Sequence, residues 1–255
     1  MRPLGLVPGI LSGLLIAVPA RADVLVGISE FPFQANEGQA FSAQALASFT
    51  DSGPGAGLAN LVAAINWGDG SASSVGTVLA TSGGYVVYGS HLFAEEGTFL
   101  ASVTISNTVG LAQSTMSGIA GTVMDAALTG AARSFGATAG TAYSGTLGSF
   151  SDSNPGATAS DFTVSINWGD PGAASAGTVL ALGGGDFAVQ GTHRYVTANT
   201  YAVTLGVTDT GGSTATIDST ANVAAPATVS EPDSRLLLLA GLAALLPWRR
   251  RRRAD

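Results

Sequence analysis

The chain has 255 residues, of which 46% are hydrophobic, only 11% are charged, 35 are glycine and none is cysteine. Disulfides and thiolate chemistry are therefore excluded, and the apolar content argues for buried cores rather than a disordered chain. All ten basic residues are arginines, five of them in Arg249 to Arg253, and from Asp23 to Glu231 there are 15 acids against 2 bases, a net charge of −13 that repels phosphate backbones and excludes nucleic acid as a partner.

Residues 1–22 read as an export signal. Arg2 gives a positive start, Leu4 to Val18 is apolar, and Ala20-Arg21-Ala22 has the small-x-small form of a cleavage site, so the mature chain is expected to begin between Ala22 and Asp23. The apolar run is shorter than the ~20 residues that span a bilayer.

Residues 23–124 follow as one expected domain. Val24 to Phe33 reads as an edge strand stopped near Pro32, and Ala40 to Thr50 as a second strand closed by the turn Asp51-Ser52-Gly53-Pro54-Gly55. Leu61, Ala63, Ile65 and Trp67 alternate with Val62, Ala64 and Asn66, so period two puts Trp67 on the face of the three aliphatics. Gly68-Asp69-Gly70 makes a tight turn. A hairpin is expected across Ser82-Gly83-Gly84, running from Val75 and ending at His91. Phe99, Ala101, Val103 and Ile105 share a face, and a last strand covers Ser114 to Val123.

Residues 125–224 repeat this plan. Ile65-Asn66-Trp67-Gly68-Asp69 returns 101 residues later as Ile166-Asn167-Trp168-Gly169-Asp170, and Gly76 to Ala80 returns as Gly177 to Ala181. His91 is matched by His193, Phe33 by Phe135 and Phe49 by Phe150. A sustained parallel of this length is a duplicated domain, longer than the ~20–50 residues of a solenoid repeat. Short strands every eight to twelve residues with glycine turns between them predict an all-β chain of two tandem immunoglobulin-like β-sandwiches.

With both blocks in view, the chain resembles tandem PKD-type repeats, a class of immunoglobulin-like sandwich. The resemblance rests on Trp67 to Asp69 and Trp168 to Asp170, on His91-Leu92-Phe93 and His193-Arg194-Tyr195, and on Gly97-Thr98-Phe99 and Thr200 to Leu205 with their strands. It covers most of residues 23–224. Pro171 replaces Gly70 and Asn199 replaces Gly97 in the second copy.

After a linker over residues 225–235, the tail (236–255) carries a separate resemblance. Glu231-Pro232, the apolar segment Leu236 to Trp248 and five terminal arginines look like a PEP-CTERM sorting signal, with Ser230 where that class usually has proline. The apolar segment would enter the inner membrane as a helix while the arginines stay cytoplasmic. That pause would present Glu231 and Pro232 to an exosortase-type membrane protease, and the resemblance implies a Gram-negative host making exopolysaccharide.

Little in the sequence points to catalysis. The chain has two histidines, at equivalent repeat positions, which suits a structural role for His91 and His193. Neither a Gly-x-Ser-x-Gly elbow nor His-Glu-x-x-His occurs. Asp51, Asp69, Asp152 and Asp170 all fall in turns and are the candidate calcium ligands, since calcium wants six to eight oxygens. Trp67 and Trp168 are expected in the cores rather than as sugar platforms, leaving Tyr85, Tyr88 and Phe187 as candidate exposed aromatics. The expected function is that of an exported, non-catalytic surface or matrix protein whose sandwiches serve as adhesive or spacer modules. The alternative is an exopolysaccharide-binding module that uses calcium.

Overall fold

The structure is a computed structural model that describes residues 24–53 and 55–228. The signal segment, Ala22, Asp23, Glu231, Pro232 and the apolar tail lie outside the described residues. Every regular element among the described residues is a strand, apart from two three-residue 3-10 turns, Leu58–Asn60 and Ala159–Asp161, and the chain divides into two units. Unit 1 runs to Ala127 and includes Ser153–Ala157; unit 2 comprises Leu128–Asp152 and the chain from Thr158.

Unit 1 is built from β1 (Val24–Glu30), β2 (Phe33–Asn36), β3 (Phe41–Ser52), β4 (Leu61–Asn66), β5 (Ser74–Thr81), β6 (Gly84–His91), β7 (Gly97–Asn107) and β8 (Gln113–Met124). Their order is β1-β3-β6-β5-β4-β7-β8-β2. The expected first strand is split in two. Phe31-Pro32 interrupts it, because proline offers no N–H to a ladder, and the chain changes partner from β3 to β8, on which β2 lies parallel.

This continuous order is a two-layer sandwich whose layers share β5. Its first half, Ser74 to Gly76, pairs with β4, and its second half, Thr77 to Thr81, pairs with β6. The crossing is at Gly76, where a Cβ would run into Val87, Ala63 and Ile65, so a side chain there would wedge the core open. The alternation read from the sequence sets the core. On β4 Leu61, Ala63 and Ile65 are buried while Val62 is half exposed, and on β7 Ala101, Val103 and Ile105 are fully buried.

Unit 2 contains β9 (Leu128–Ala132), β10 (Ser134–Thr138), β11 (Tyr143–Asp152), β12 (Phe162–Asn167), β13 (Ser175–Ala176), β14 (Thr178–Gly183), β15 (Asp186–His193), β16 (Asn199–Asp209) and β17 (Thr214–Ala224). It forms one sheet ordered β10-β17-β16-β12-β13 and another ordered β14-β15-β11-β9. This is the connectivity of unit 1 with the shared strand cut at Gly177, where a Cβ would meet Val164 and Ile166. Both units are antiparallel except for one parallel pair each, β2 with β8 and β10 with β17.

Candidate functional site

The end of β4 builds the most elaborate side-chain constellation in unit 1. Trp67 emerges one residue past the strand on its buried face and is 0% exposed. The chain then turns sharply. Gly68 takes φ +81, and its N–H donates to Asn66 Oδ1 at 2.9 Å. A side chain at Gly68 would collide with the Leu100 backbone, so the close approach as well as the left-handed conformation calls for glycine. Asp69 is thereby aimed back toward the sheet, and its Oδ2 accepts from His91 Nε2 at 2.7 Å.

The imidazole of His91 is boxed. Its plane lies on the Trp67 indole with centroids 4.8 Å apart and 8° between planes, and its ring meets Phe93 edge-on at 4.6 Å. Phe33, Phe41 and Phe93 pack edge-on to the indole. The indole N–H donates to Ser74 Oγ at 2.9 Å, so burying the ring leaves no polar atom unpaired. Burial alone would push the Asp69 carboxyl up. Hydrogen bonds from Ser71 and His91 outweigh it and hold the carboxyl below its ordinary value, hence ionised.

Unit 2 repeats the arrangement. His193 Nε2 donates to Asp170 Oδ2 at 2.9 Å, the ring lies on Trp168 at 4.6 Å and 10°, and Trp168 Nε1 donates to Ser175 Oγ at 2.9 Å. Tyr195 takes the place of Phe93, and its hydroxyl donates to the Trp168 carbonyl at 3.2 Å. Burial pushes the Tyr195 phenol up to about 12, helped by the Asp170 charge.

An Asp–His pair can orient a general base, but the base then needs a nucleophile within reach. In unit 1 the nearby hydroxyl, Ser71 Oγ, donates to Asp69 Oδ1 at 2.6 Å rather than to the imidazole. In unit 2 the same oxygen accepts from Gly172 N. The geometry is that of a plug which ties a turn to the core.

The four aspartates named from the sequence do not converge. Asp69 and Asp170 each bind a histidine of their own unit. Asp51 Oδ2 accepts from Asn107, whose Oδ1 in turn caps the Val109 and Gly110 amides. Asp152 is buried in unit 2. Of the candidate exposed aromatics, Phe187 is buried, Tyr85 stacks on Phe49 at 5.4 Å, and Tyr88 stays half-buried on the outer side of β6.

A different acidic group does come together in unit 1. Oxygens of Glu37, Glu95 and Glu96 lie within 4.8 Å of one another. Glu37 is only 4% exposed, and its Oε1 accepts from the Ala126 amide at 3.1 Å. Burial, aided by the charges of Glu96 and Asp125, raises its carboxyl to about 7 in spite of that amide. Three carboxylates are fewer than the six to eight oxygens of a complete calcium shell, so backbone carbonyls or water would have to finish one. These glutamates are not among the turn aspartates named from the sequence; the adjacent Glu95-Glu96 pair was the available signal.

No family model matches the chain, and no curated protein matches it. Among solved structures it is similar to protocadherin gamma B2 extracellular cadherin domains 3-6, at 14% identity over 79% of this chain and 50% of that one, with a TM-score of 0.34. It is similar to the endo-fucoidan hydrolase MfFcnA4 from glycoside hydrolase family 107 at 16% identity over 80% of this chain and 29% of that one, with a TM-score of 0.33. The chain spans half the length, or less, of these structures. Its own strand pairing shows a tandem of immunoglobulin-like β-sandwiches.

Proposed function

We propose that this is an exported, non-catalytic surface or matrix protein whose two PKD-like sandwiches act as adhesive or spacer modules. One observation carries the reading. The only two histidines of the chain are spent on the same internal task in both units, each clamped between an indole, an aromatic edge and an aspartate. Delivery belongs to the ends: a cleaved signal before Asp23, then a PEP-CTERM-type tail that holds the chain in the inner membrane until an exosortase cuts near Glu231-Pro232. Mass spectrometry of the chain recovered from an exosortase-bearing host tests this. A species that starts at Asp23 and ends near Glu231 is the expected result, and one retaining Arg249 to Arg253 overturns the sorting step.

The second reading, a calcium-assisted exopolysaccharide-binding module, draws support from Glu37, Glu95 and Glu96. A divalent cation there would offset the burial, and the repulsion that adds to it, which keep Glu37 from ionising. Calorimetric titration with calcium, then with exopolysaccharide in its presence and absence, decides it. Heat that disappears in Glu37→Gln assigns the cation site, and no heat in any arm removes this reading.

A further inference from the structure

The outer face of β1-β3-β6-β5 in unit 1 carries exposed aliphatic residues on its two outer strands, with the uncharged Ser48, Thr50 and Thr77 between them. Val24, Val26 and Ile28 on β1 are 45%, 49% and 55% exposed, and Val75 and Leu79 on β5 are 86% and 48% exposed. Between them Val86 and Tyr88 are half-buried on β6. Ladder pairing sets these residues in rows, Ser48 beside Val86 beside Leu79 and Ala45 beside Tyr88 beside Thr77. The stretches 24–29, 41–50, 74–81 and 84–90 contain no charged residue; Glu30, which ends β1, lies opposite the inward-facing Ala47, and Asp51, near the end of β3, is tied to Asn107.

Unit 2 keeps only part of this surface: Leu180, 47% exposed, stands where Leu79 does. Aligned by their ladders, Val26, Val75, Val86 and Tyr88 correspond to Thr129, Ala176, Ala188 and Gln190. The sandwich therefore does not require these apolar residues. Unit 1 also has a bulge that unit 2 lacks. Ala43 adopts φ 54, and beside it a groove of about 510 Å³ opens between Ser42, Val75, Leu79, Tyr88 and Ser90.

We propose that this face is a self-association surface on which a second copy of the chain packs, sheet against sheet. Charge selects the occupant. The described part of unit 1 carries seven acids (Glu30, Glu37, Asp51, Asp69, Glu95, Glu96, Asp125) and neither lysine nor arginine. Two copies repel one another at most approaches, and this uncharged face is where they can meet with little repulsion. A charged partner would find no counter-charge there. A saccharide calls for aromatic platforms and converging hydrogen-bonding groups, whereas this face offers five exposed aliphatics and a single tyrosine. Two sheets of such alternating surface pack ~10 Å apart, as layers of a sandwich do.

Size sets the strength. Four strands of seven residues span roughly 19 Å by 24 Å, so the pair covers on the order of 900 Å², below the ~1,200 Å² at which stable interfaces begin. The contact is weak for one pair of molecules and gains from many copies held on one surface.

The chain has no cysteine, so one introduced thiol reports the contact without interference. Full-length Val75→Cys, oxidised over a concentration series, is expected to form a disulfide dimer. Ala176→Cys, its equivalent in unit 2, is expected to stay monomeric under the same conditions. Adding Leu79→Asp to Val75→Cys places a carboxylate in the contact and should shift the concentration for half-dimerisation at least roughly tenfold. Equal cross-linking at the two positions, or indifference to Leu79→Asp while the thermal melt is unchanged, overturns the proposal. So does a monomer whose introduced thiol is shielded by a neutral oligosaccharide, which would give the face to a glycan.

Discussion

The two units use one plug and differ in what surrounds it. In unit 1 Phe93 closes the aromatic box around His91, while in unit 2 Tyr195 does so and adds a hydrogen bond to the Trp168 carbonyl. In unit 1 the turn after β2 carries the buried Glu37; by backbone pairing its counterpart is Ala139, which is buried without a charge. Unit 1 thus holds a carboxyl that resists ionisation where unit 2 holds a methyl group. What both units share is what this sandwich needs in order to close. What only one has is free to serve something else.

The sharpest way to break the comparison is to remove an indole. Trp67→Ala or Trp168→Ala should lower the stability of its own unit by about 3–5 kcal/mol through the cavity and the loss of the histidine's stacking partner. Scanning calorimetry is expected to show one transition moving and the other unchanged; if both move together, the units do not fold independently.

Next in size is Glu37. Its folded carboxyl is raised to about 7 from an ordinary 4.5, so its contribution is fully present below about 4.5 and is lost as pH rises through 7. Glu37→Gln keeps the acceptor for Ala126 and should stabilise unit 1 at pH 8 by up to about 3 kcal/mol, with little effect at pH 4. Unit 2, with Ala139, should show no such slope in urea melts over that range. A flat profile in unit 1 as well would erase the contrast.

Tyr195 gives a smaller effect of the same sign at the alkaline end. Its phenol is raised from 10.0 to about 12, so unit 2 should lose stability between those values as the unfolded chain ionises first. Tyr195→Phe should cost about 1 kcal/mol near neutrality and reduce the alkaline slope, leaving the part due to Tyr143, whose phenol burial also raises. The smallest change is Ala43→Gly. Relief of the left-handed backbone is worth ~1–2 kcal/mol, part of it offset by the extra freedom of glycine when unfolded, so a gain of under ~1 kcal/mol in unit 1 is expected. No gain would mean that the bulge is not strained.

Much of the architecture was legible because period-two burial and duplication are local signals. Leu61, Ala63, Ile65 and Trp67 declare one face by spacing alone, and the second copy confirms that the spacing is no accident. Repetition also picked out His91 and Asp69, yet it gave no hint that they touch, since 22 residues separate them and only the turn at Gly68 brings them together. The partner switch at Pro32 was half visible: proline marks the break, but the parallel pairing of β2 with β8 is a long-range fact. The acidic group escaped for the same reason. Glu37 and Glu95 lie far apart in the chain, and no spacing rule links a turn after β2 to one before β7.

The parallel pairs have a consequence for the proposed spacer role. Phe33 to Asn36 run alongside Gly121 to Met124, and Ser134 to Thr138 alongside Thr220 to Ala224. Tension applied through the chain pulls the early strand of each unit backward and the late strand forward, so they slide lengthwise past each other. Every bond of the ladder is then strained at once rather than peeled in turn. Each unit is wired as a shear joint, resisting load where a hairpin would unzip.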